Sequence, residues 1–253
     1  MHDLLSTDKR DPSVNANGPV YGAAENSVDY VPVVDPTTHE ASRVPLQVRD
    51  PLTPTTASTP PLAPSPYWQD EVIWDSQSVA HSFAMDRNAR VWIAASVRPA
   101  DTPAFCREGS SHPSAQAFPL ERSNRHMQVW DPATREITTV DTCFGTHHLN
   151  LDDEDVMWFT GSGPVVAWFD TKVFDETGDE AAAQGWSAQV LDTNGNGRRD
   201  AYVEPGEPMD PAKDTRIARG YYGVAPSPLD GSIWGSTLGM PGGLVRFVPG
   251  DDP

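Results

Sequence analysis

The stretch Gly145-Thr-His-His-Leu-Asn-Leu-Asp-Asp-Glu-Asp-Val-Met-Trp158-Phe-Thr160 has a counterpart upstream, Val79-Ala-His-Ser-Phe-Ala-Met-Asp-Arg-Asn-Ala-Arg-Val-Trp92. It has another downstream, Tyr222-Gly-Val-Ala-Pro-Ser-Pro-Leu-Asp-Gly-Ser-Ile-Trp234. Aligned on their tryptophans, the first two copies superimpose Asp86 on Asp152 and His81 on His147; Gly223 takes the histidine position in the third. Val91, Met157 and Ile233 each precede the tryptophan. Each copy reads as an extended segment, a polar turn and an apolar, Trp-centred segment. That is a β-hairpin signature, and its recurrence marks a repeat architecture in which each unit buries its face on a neighbour.

A second hairpin accompanies the first. Tyr30-Val-Pro-Val-Val-Asp-Pro-Thr-Thr-His resembles His126-Met-Gln-Val-Trp-Asp-Pro-Ala-Thr-Arg, each a strand followed by an Asp-Pro-x-Thr turn. Val165-Val-Ala-Trp-Phe-Asp and Leu244-Val-Arg-Phe-Val-Pro are degenerate copies. Two hairpins make four strands, which is one propeller blade. The expected class is all-β, a partial β-propeller of about four blades with up to four antiparallel strands each. The competing reading is a β-sandwich with chance similarity. The tryptophans are expected in the core between blades, and Asp86 and Asp152 in turns.

Composition agrees. The 253 residues include 19 Gly, 25 Pro and 8 Trp, and long helical periodicity is nearly absent. A net charge of −18 argues against nucleic acid or an anionic membrane as partner. No apolar run approaches the ~20 residues of a membrane span, and Met1-His-Asp-Leu-Leu-Ser-Thr-Asp has no apolar signal-peptide core. The expectation is a fragment of a longer periplasmic or extracellular protein, monomeric.

Along the chain, residues 1–20 are expected to be irregular and residues 21–253 to form the blades. Residues 49–67 are Pro-rich and read as an inter-blade loop. Residues 99–125 read as an insertion. Phe174 to Trp186 is the one stretch with helical character, with a cap near Thr177 and an end at Gly185; Ser187 to Leu191 reads as the next strand. Cys106 and Cys143 bracket the excursion between the first two tryptophan copies. A disulfide there would contribute roughly 3–4 kcal/mol in the chain-entropy model and place the protein in an oxidising compartment; the alternative is two unrelated buried thiols. No Cys-x-x-Cys spacing suggests a metal pair.

The strongest chemical motif is Asp192-Thr-Asn-Gly-Asn-Gly-Arg-Arg-Asp200. Oxygen-bearing side chains alternate at Asp192, Asn194, Asn196 and Asp200, with Gly197 for the sharp turn, as at the start of an EF-hand-type calcium loop. The Arg198 carbonyl and Glu204 would complete a Ca2+ shell. Val203 stands where the closing Glu would be, and the flanking helices are missing, so the carboxylate must come from elsewhere. The alternative is an Asn-Gly turn tip that binds nothing.

His81 and His147 are the catalytic candidates. Repeat-equivalent positions fall at equivalent places in successive blades, near a central funnel, where imidazole can act as acid or base or hold a metal. Strand alternation would point His148 the opposite way. The plainer reading is that each histidine hydrogen-bonds a neighbouring blade's backbone. No Gly-x-Ser-x-Gly, P-loop, Gly-x-Gly-x-x-Gly or His-Glu-x-x-His motif is present.

The His-x4-Asp-x5-Trp unit with its Asp-Pro-x-Thr partner resembles the streptogramin lyase-like (virginiamycin B lyase-like) β-propellers. Pro103-Ala-Phe-Cys, Asp141-Thr-Cys-Phe-Gly-Thr-His-His, and Leu191-Asp-Thr-Asn-Gly-Asn-Gly with Tyr202-Val-Glu-Pro are similar to a bacterial secreted subgroup, members of which often carry a carboxypeptidase-regulatory-like β-sandwich. The resemblance implies a propeller. It implies, for a lyase, elimination on a cyclic depsipeptide with Mg2+ and a histidine base, which would fall to His147 or His81. Two readings follow. One is a secreted propeller that binds a small molecule, glycan or protein at its funnel, with a structural calcium loop. The other is a lyase- or lactonase-like enzyme with a metal in its channel.

Overall fold

The computed structural model describes residues 3–48, 52–56, 66–67, 69–70, 74–96, 102–119, 125–160, 165–237 and 239–251. Most of the Pro-rich 49–67 stretch, and both ends of the 99–125 insertion, lie outside the described residues. The chain divides into two compact units, Met1–Thr102 with Arg122–Asp141, and Pro103–Glu121 with Thr142–Pro253. Among the described residues, no helix is long and apolar enough to cross a membrane.

The first unit holds two four-stranded antiparallel sheets. One runs β1 (Leu4–Leu5), β2 (Val20–Gly22), β3 (Tyr30–Val34) and β4 (Ala41–Pro45), in that order. The N-terminal segment thus supplies an edge strand, β1, before its turns. The other runs β5 (Phe83–Met85), β6 (Val91–Ser96), β7 (Arg125–Asp131) and β8 (Glu136–Val140). In the second sheet the Trp hairpin (β5–β6) and the Asp-Pro hairpin (β7–β8) join into one four-stranded unit. Tyr21, Val31, Val33 and Val44 from one sheet share a buried cluster with Phe83, Met85, Val91 and Ile93 from the other. The alternation of these positions is the period of two that puts one strand face into a core.

The two Asp-Pro turns are built alike. Asp35 Oδ1 accepts the backbone N–H groups of Thr37 (2.7 Å) and Thr38 (3.1 Å), and His39 is left-handed at φ 60°. Asp131 Oδ1 accepts those of Ala133 (2.8 Å) and Thr134 (3.3 Å), and Arg135 is left-handed at φ 63°. An aspartate that bonds its own backbone two and three residues on is the local device that makes such turns without glycine.

The second unit carries a four-stranded antiparallel sheet with β9 (Leu149–Leu151), β10 (Val156–Phe159), β11 (Val166–Asp170) and β12 (Gln184–Ser187) in the order β12-β11-β10-β9. A three-stranded sheet of β13 (Gln189–Leu191), β14 (Tyr202–Val203) and β15 (Asp214–Ile217) follows, with β15 in the centre and β14 parallel to it. The last is β16 (Tyr221–Pro226), β17 (Ile233–Thr237) and β18 (Gly243–Phe247). Where the sequence suggests about four sheets, five are described; the extra one has no Trp hairpin and so left no repeat to count. Trp158, Val166, Tyr221, Val224, Ile233 and Phe247 form one buried cluster. The Tyr221 ring lies over Gly235, where a Cβ would come to 2.2 Å of it.

The three tryptophans occupy equivalent strands. Trp92 sits between Ala84 and Val129, Trp158 between Asn150 and Trp168, and Trp234 between Ala225 and Arg246. Their environments differ, since Trp92 is 0% exposed, Trp158 6% and Trp234 38%. The expectation that all three are core therefore fails for Trp234.

The helix expected over 174–186 is instead α2 (Thr171–Thr177). Asp170 caps it by accepting from Lys172 N and Val173 N, and Gly178 ends it in the left-handed region at φ 66°. Residues 180–183 form a turn, and Gln184–Trp186 are drawn into β12 by pairing with β11. A 3-10 turn (Ala104–Cys106) and α1 (Pro113–Ala117) occupy the insertion. Cys106 and Cys143 form a disulfide, with Cα atoms 5.1 Å apart.

Candidate functional site

The Asp192–Asp200 loop links β13 to β14. Asp192 is its anchor: Oδ1 accepts the backbone N–H groups of Gly195 (2.8 Å) and Asn196 (3.1 Å), and Oδ2 accepts that of Gly197 (2.8 Å). Asn194 Oδ1 accepts from Asn196 N at 3.1 Å, and Asn196 Oδ1 from Arg198 N at 2.9 Å. The chain winds around the first aspartate, and Gly195 and Gly197 make this possible at φ 76° and 80°.

The other ends of the two asparagines meet on one atom. Asn194 Nδ2 donates to Asp200 Oδ2 at 3.0 Å, and Asn196 Nδ2 donates to the same oxygen. These donors hold the Asp200 carboxyl below its ordinary value, the Asn194 bond first and the Asn196 bond second, so it is ionised at neutral pH. Asp192, Asn194, Asn196 and Asp200 are thus wound into one loop, with the last three in direct contact.

A fifth residue, invisible to the motif, closes the loop. Asp214 at the start of β15 is fully buried, and its Oδ2 accepts Asp200 N at 2.7 Å. Its Oδ1 is buried with no hydrogen-bond partner among the described residues. Leaving a buried acceptor unmet costs about 1–3 kcal/mol. Glu204, expected to complete the shell, is turned to Arg216, with Oε2 accepting from Nη1 at 2.8 Å. The acid that reaches the loop is Asp214, which lies beyond any local spacing rule. Arg198 contributes its N–H to the winding.

The histidines are placed elsewhere. His81 N donates to Ala94 O at 2.8 Å, and His147 N to Thr160 O at 2.6 Å. Ala94 and Thr160 each stand two residues past the repeat tryptophan, so the two backbones are equivalent. The side chains have different partners. His81 is buried, with Nδ1 2.7 Å from Glu25 Oε1 in the first unit. In the second unit, His148 Nδ1 lies 2.7 Å and His147 Nδ1 3.4 Å from the Tyr222 carbonyl of β16. A carbonyl only accepts, so the short contact fixes the His148 proton on Nδ1. The two imidazoles are 4.4 Å apart edge to face, and the Tyr222 ring lies 5.1 Å from His147 and 4.7 Å from His148. The expectation that His148 points away from His147 fails because both precede β9, where strand alternation does not apply.

No protein-family model and no curated protein matches the chain. Among solved structures, it is similar to the extracellular domain of BT4673 from B. thetaiotaomicron, at 10% identity and a TM-score of 0.47 over 97% of this chain and 21% of that one. It is also similar to PorZ, an essential bacterial surface component of the type-IX secretion system of Porphyromonas gingivalis, at 8% identity and a TM-score of 0.47 over 97% of this chain and 26% of that one. The chain spans about a fifth to a quarter of the length of these structures.

Proposed function

We propose that the chain is part of an extracytoplasmic, non-catalytic binding protein whose recurring sheets are propeller blades, and that the Asp192–Asp200 loop holds a structural Ca2+. The observation that carries the cation reading is the buried Oδ1 of Asp214, without a hydrogen-bond partner among the described residues, beside a loop of hard oxygen donors. Calcium takes six to eight oxygens. Asp192, Asn194, Asn196, Asp200 and Asp214, with the Arg198 carbonyl, are the residues that would hold it. Asparagine oxygen and nitrogen exchange places by a half-turn of the amide, so the two amides now donating to Asp200 can present oxygen to an ion. Calcium there would join β13, β14 and β15 and stabilise the folded state by mass action.

The Cys106–Cys143 disulfide supports an oxidising compartment. The hairpins shared by the sheets support the blade reading, and the partners of His148 and His147 support a structural role for these two residues.

Thermal unfolding with excess calcium and with a chelator tests the cation reading. Wild type should melt several degrees higher in calcium, and Asp192→Ala should abolish that difference while leaving the melting temperature in chelator nearly unchanged. Identical melting of the wild type under both conditions overturns it.

A further inference from the structure

Beside the loop, and sharing Asp192 and Arg198 with it, lies an open cleft lined by Val190, Asp192, Gly197, Arg198, Arg199, Arg246, Phe247 and Val248. Three of its eight lining residues are arginines, in a chain with 18 basic residues against 36 acidic ones. The arginines come from two separate segments, the loop and β18, so local sequence does not explain their meeting.

Each arginine is held differently. Arg199 is fixed: Nη1 donates to Val248 O at 3.1 Å, the guanidinium lies 5.9 Å from the Tyr202 ring centre, and Gly250 leaves room for it. A Cβ at Gly250 would come to 2.4 Å of Arg199 Cζ, so that glycine is what lets the guanidinium lie along the chain. Arg246 donates through Nη2 to Asp230 at 2.8 Å, which leaves its other N–H groups uncommitted among the described residues. The Arg198 guanidinium is exposed and makes no hydrogen bond to any described residue. The one carboxylate lining the cleft, Asp192, has both oxygens occupied by loop N–H groups.

We propose that this cleft binds a small organic carboxylate. Arg246 and Arg198 would grip the carboxylate, and the ligand's ring would rest on Val248, the exposed apolar residue of the lining. The guanidinium fork matches a carboxylate's two oxygens. An aromatic acid and a sugar acid share this chemistry.

The test is titration of the intact chain with benzoate and with glucuronate, using benzyl alcohol as neutral control, followed by amide shifts of Val190, Gly197 and Phe247. At least one acid should give saturable shifts at these residues that weaken with added salt, while benzyl alcohol gives none. Arg198→Gln, which removes no internal bond, and Arg246→Gln should each weaken binding about tenfold, while Arg43→Gln in the first unit leaves it unchanged. Saturation by benzoate alone identifies an aromatic acid, and by glucuronate alone a sugar acid. Absence of saturable shifts with either acid overturns the proposal, as does binding that both Arg198→Gln and Arg246→Gln leave intact.

Discussion

Trp92 donates its indole N–H to Asp86 Oδ2 at 2.9 Å, and Trp158 donates to Asp152 Oδ2 at 2.7 Å. The repeat motif is therefore a staple. In both copies the aspartate's first oxygen makes the turn, accepting Asn88 N and Arg90 N, or Glu154 N and Val156 N. Its second oxygen binds the tryptophan of the returning strand. The third copy has no aspartate at this spacing, and Trp234 Nε1 donates to Ser232 Oγ at 3.2 Å, which in turn donates to Asp230.

Asp86 is buried and also accepts from Arg90 Nε at 2.7 Å. Its replacement removes the acceptor that a part-buried guanidinium and a buried indole N–H share. Asp86→Ala should cost about 3–5 kcal/mol, as for a broken buried ion pair. Asp152→Ala should cost less, about 1–3 kcal/mol. Urea unfolding of the two variants checks the order; equal costs would contradict the part assigned to Arg90.

Asp214→Asn separates the two roles of that side chain. Asparagine can still accept the Asp200 N–H but removes the buried negative charge. In chelator the variant should be as stable as the wild type or more so; in calcium it should lose most of the calcium-dependent gain. Full retention of that gain in thermal unfolding would remove Asp214 from the site.

The disulfide ties the insertion to the segment before β9. Its reduction should lower stability by roughly 3–4 kcal/mol. Mass spectrometry without reductant should find both thiols blocked; two free thiols would refute the pairing and the compartment inferred from it.

His148 makes the shorter bond to Tyr222. His148→Ala should cost about 1 kcal/mol, and His147→Ala less, in the same unfolding assay. A larger effect at His147 would show that its ring contacts outweigh the hydrogen bond of its neighbour.

Acid should act through Asp200 and Asp230. Asp230 is held well below the ordinary carboxylate value by the Ser232 hydroxyl and then by Arg246, and Asp200 by the two asparagines. A carboxylate whose folded value is depressed contributes stability that is fully present above its unfolded value and lost as pH falls through the folded one. An ordinary aspartate titrates near 3.8, so neither should affect stability between neutrality and mildly acid pH. Both should weaken the fold only below that value. Carboxyl carbon shifts in a pH titration check this, with Asp230 expected to titrate last.

The hairpins were legible in the sequence because the forces that make them are local. Asp35, Asp86, Asp131 and Asp152 bond backbone N–H groups two to four residues on, and the alternation that buries Val31 and Val33, or Val91 and Ile93, has a period of two. The winding of the Asp192 loop was legible for the same reason. Three things were not. Asp214 reaches the loop only because β15 pairs with β14. The His148 ring meets Tyr222 only because β16 lies against β9. The arginines converge only because β18 brings Arg246 to Arg198 and Arg199. In each case the partners are far apart in sequence and neither carries a local preference for the other. Strand pairing and burial bring them together, and these act on the folded chain as a whole.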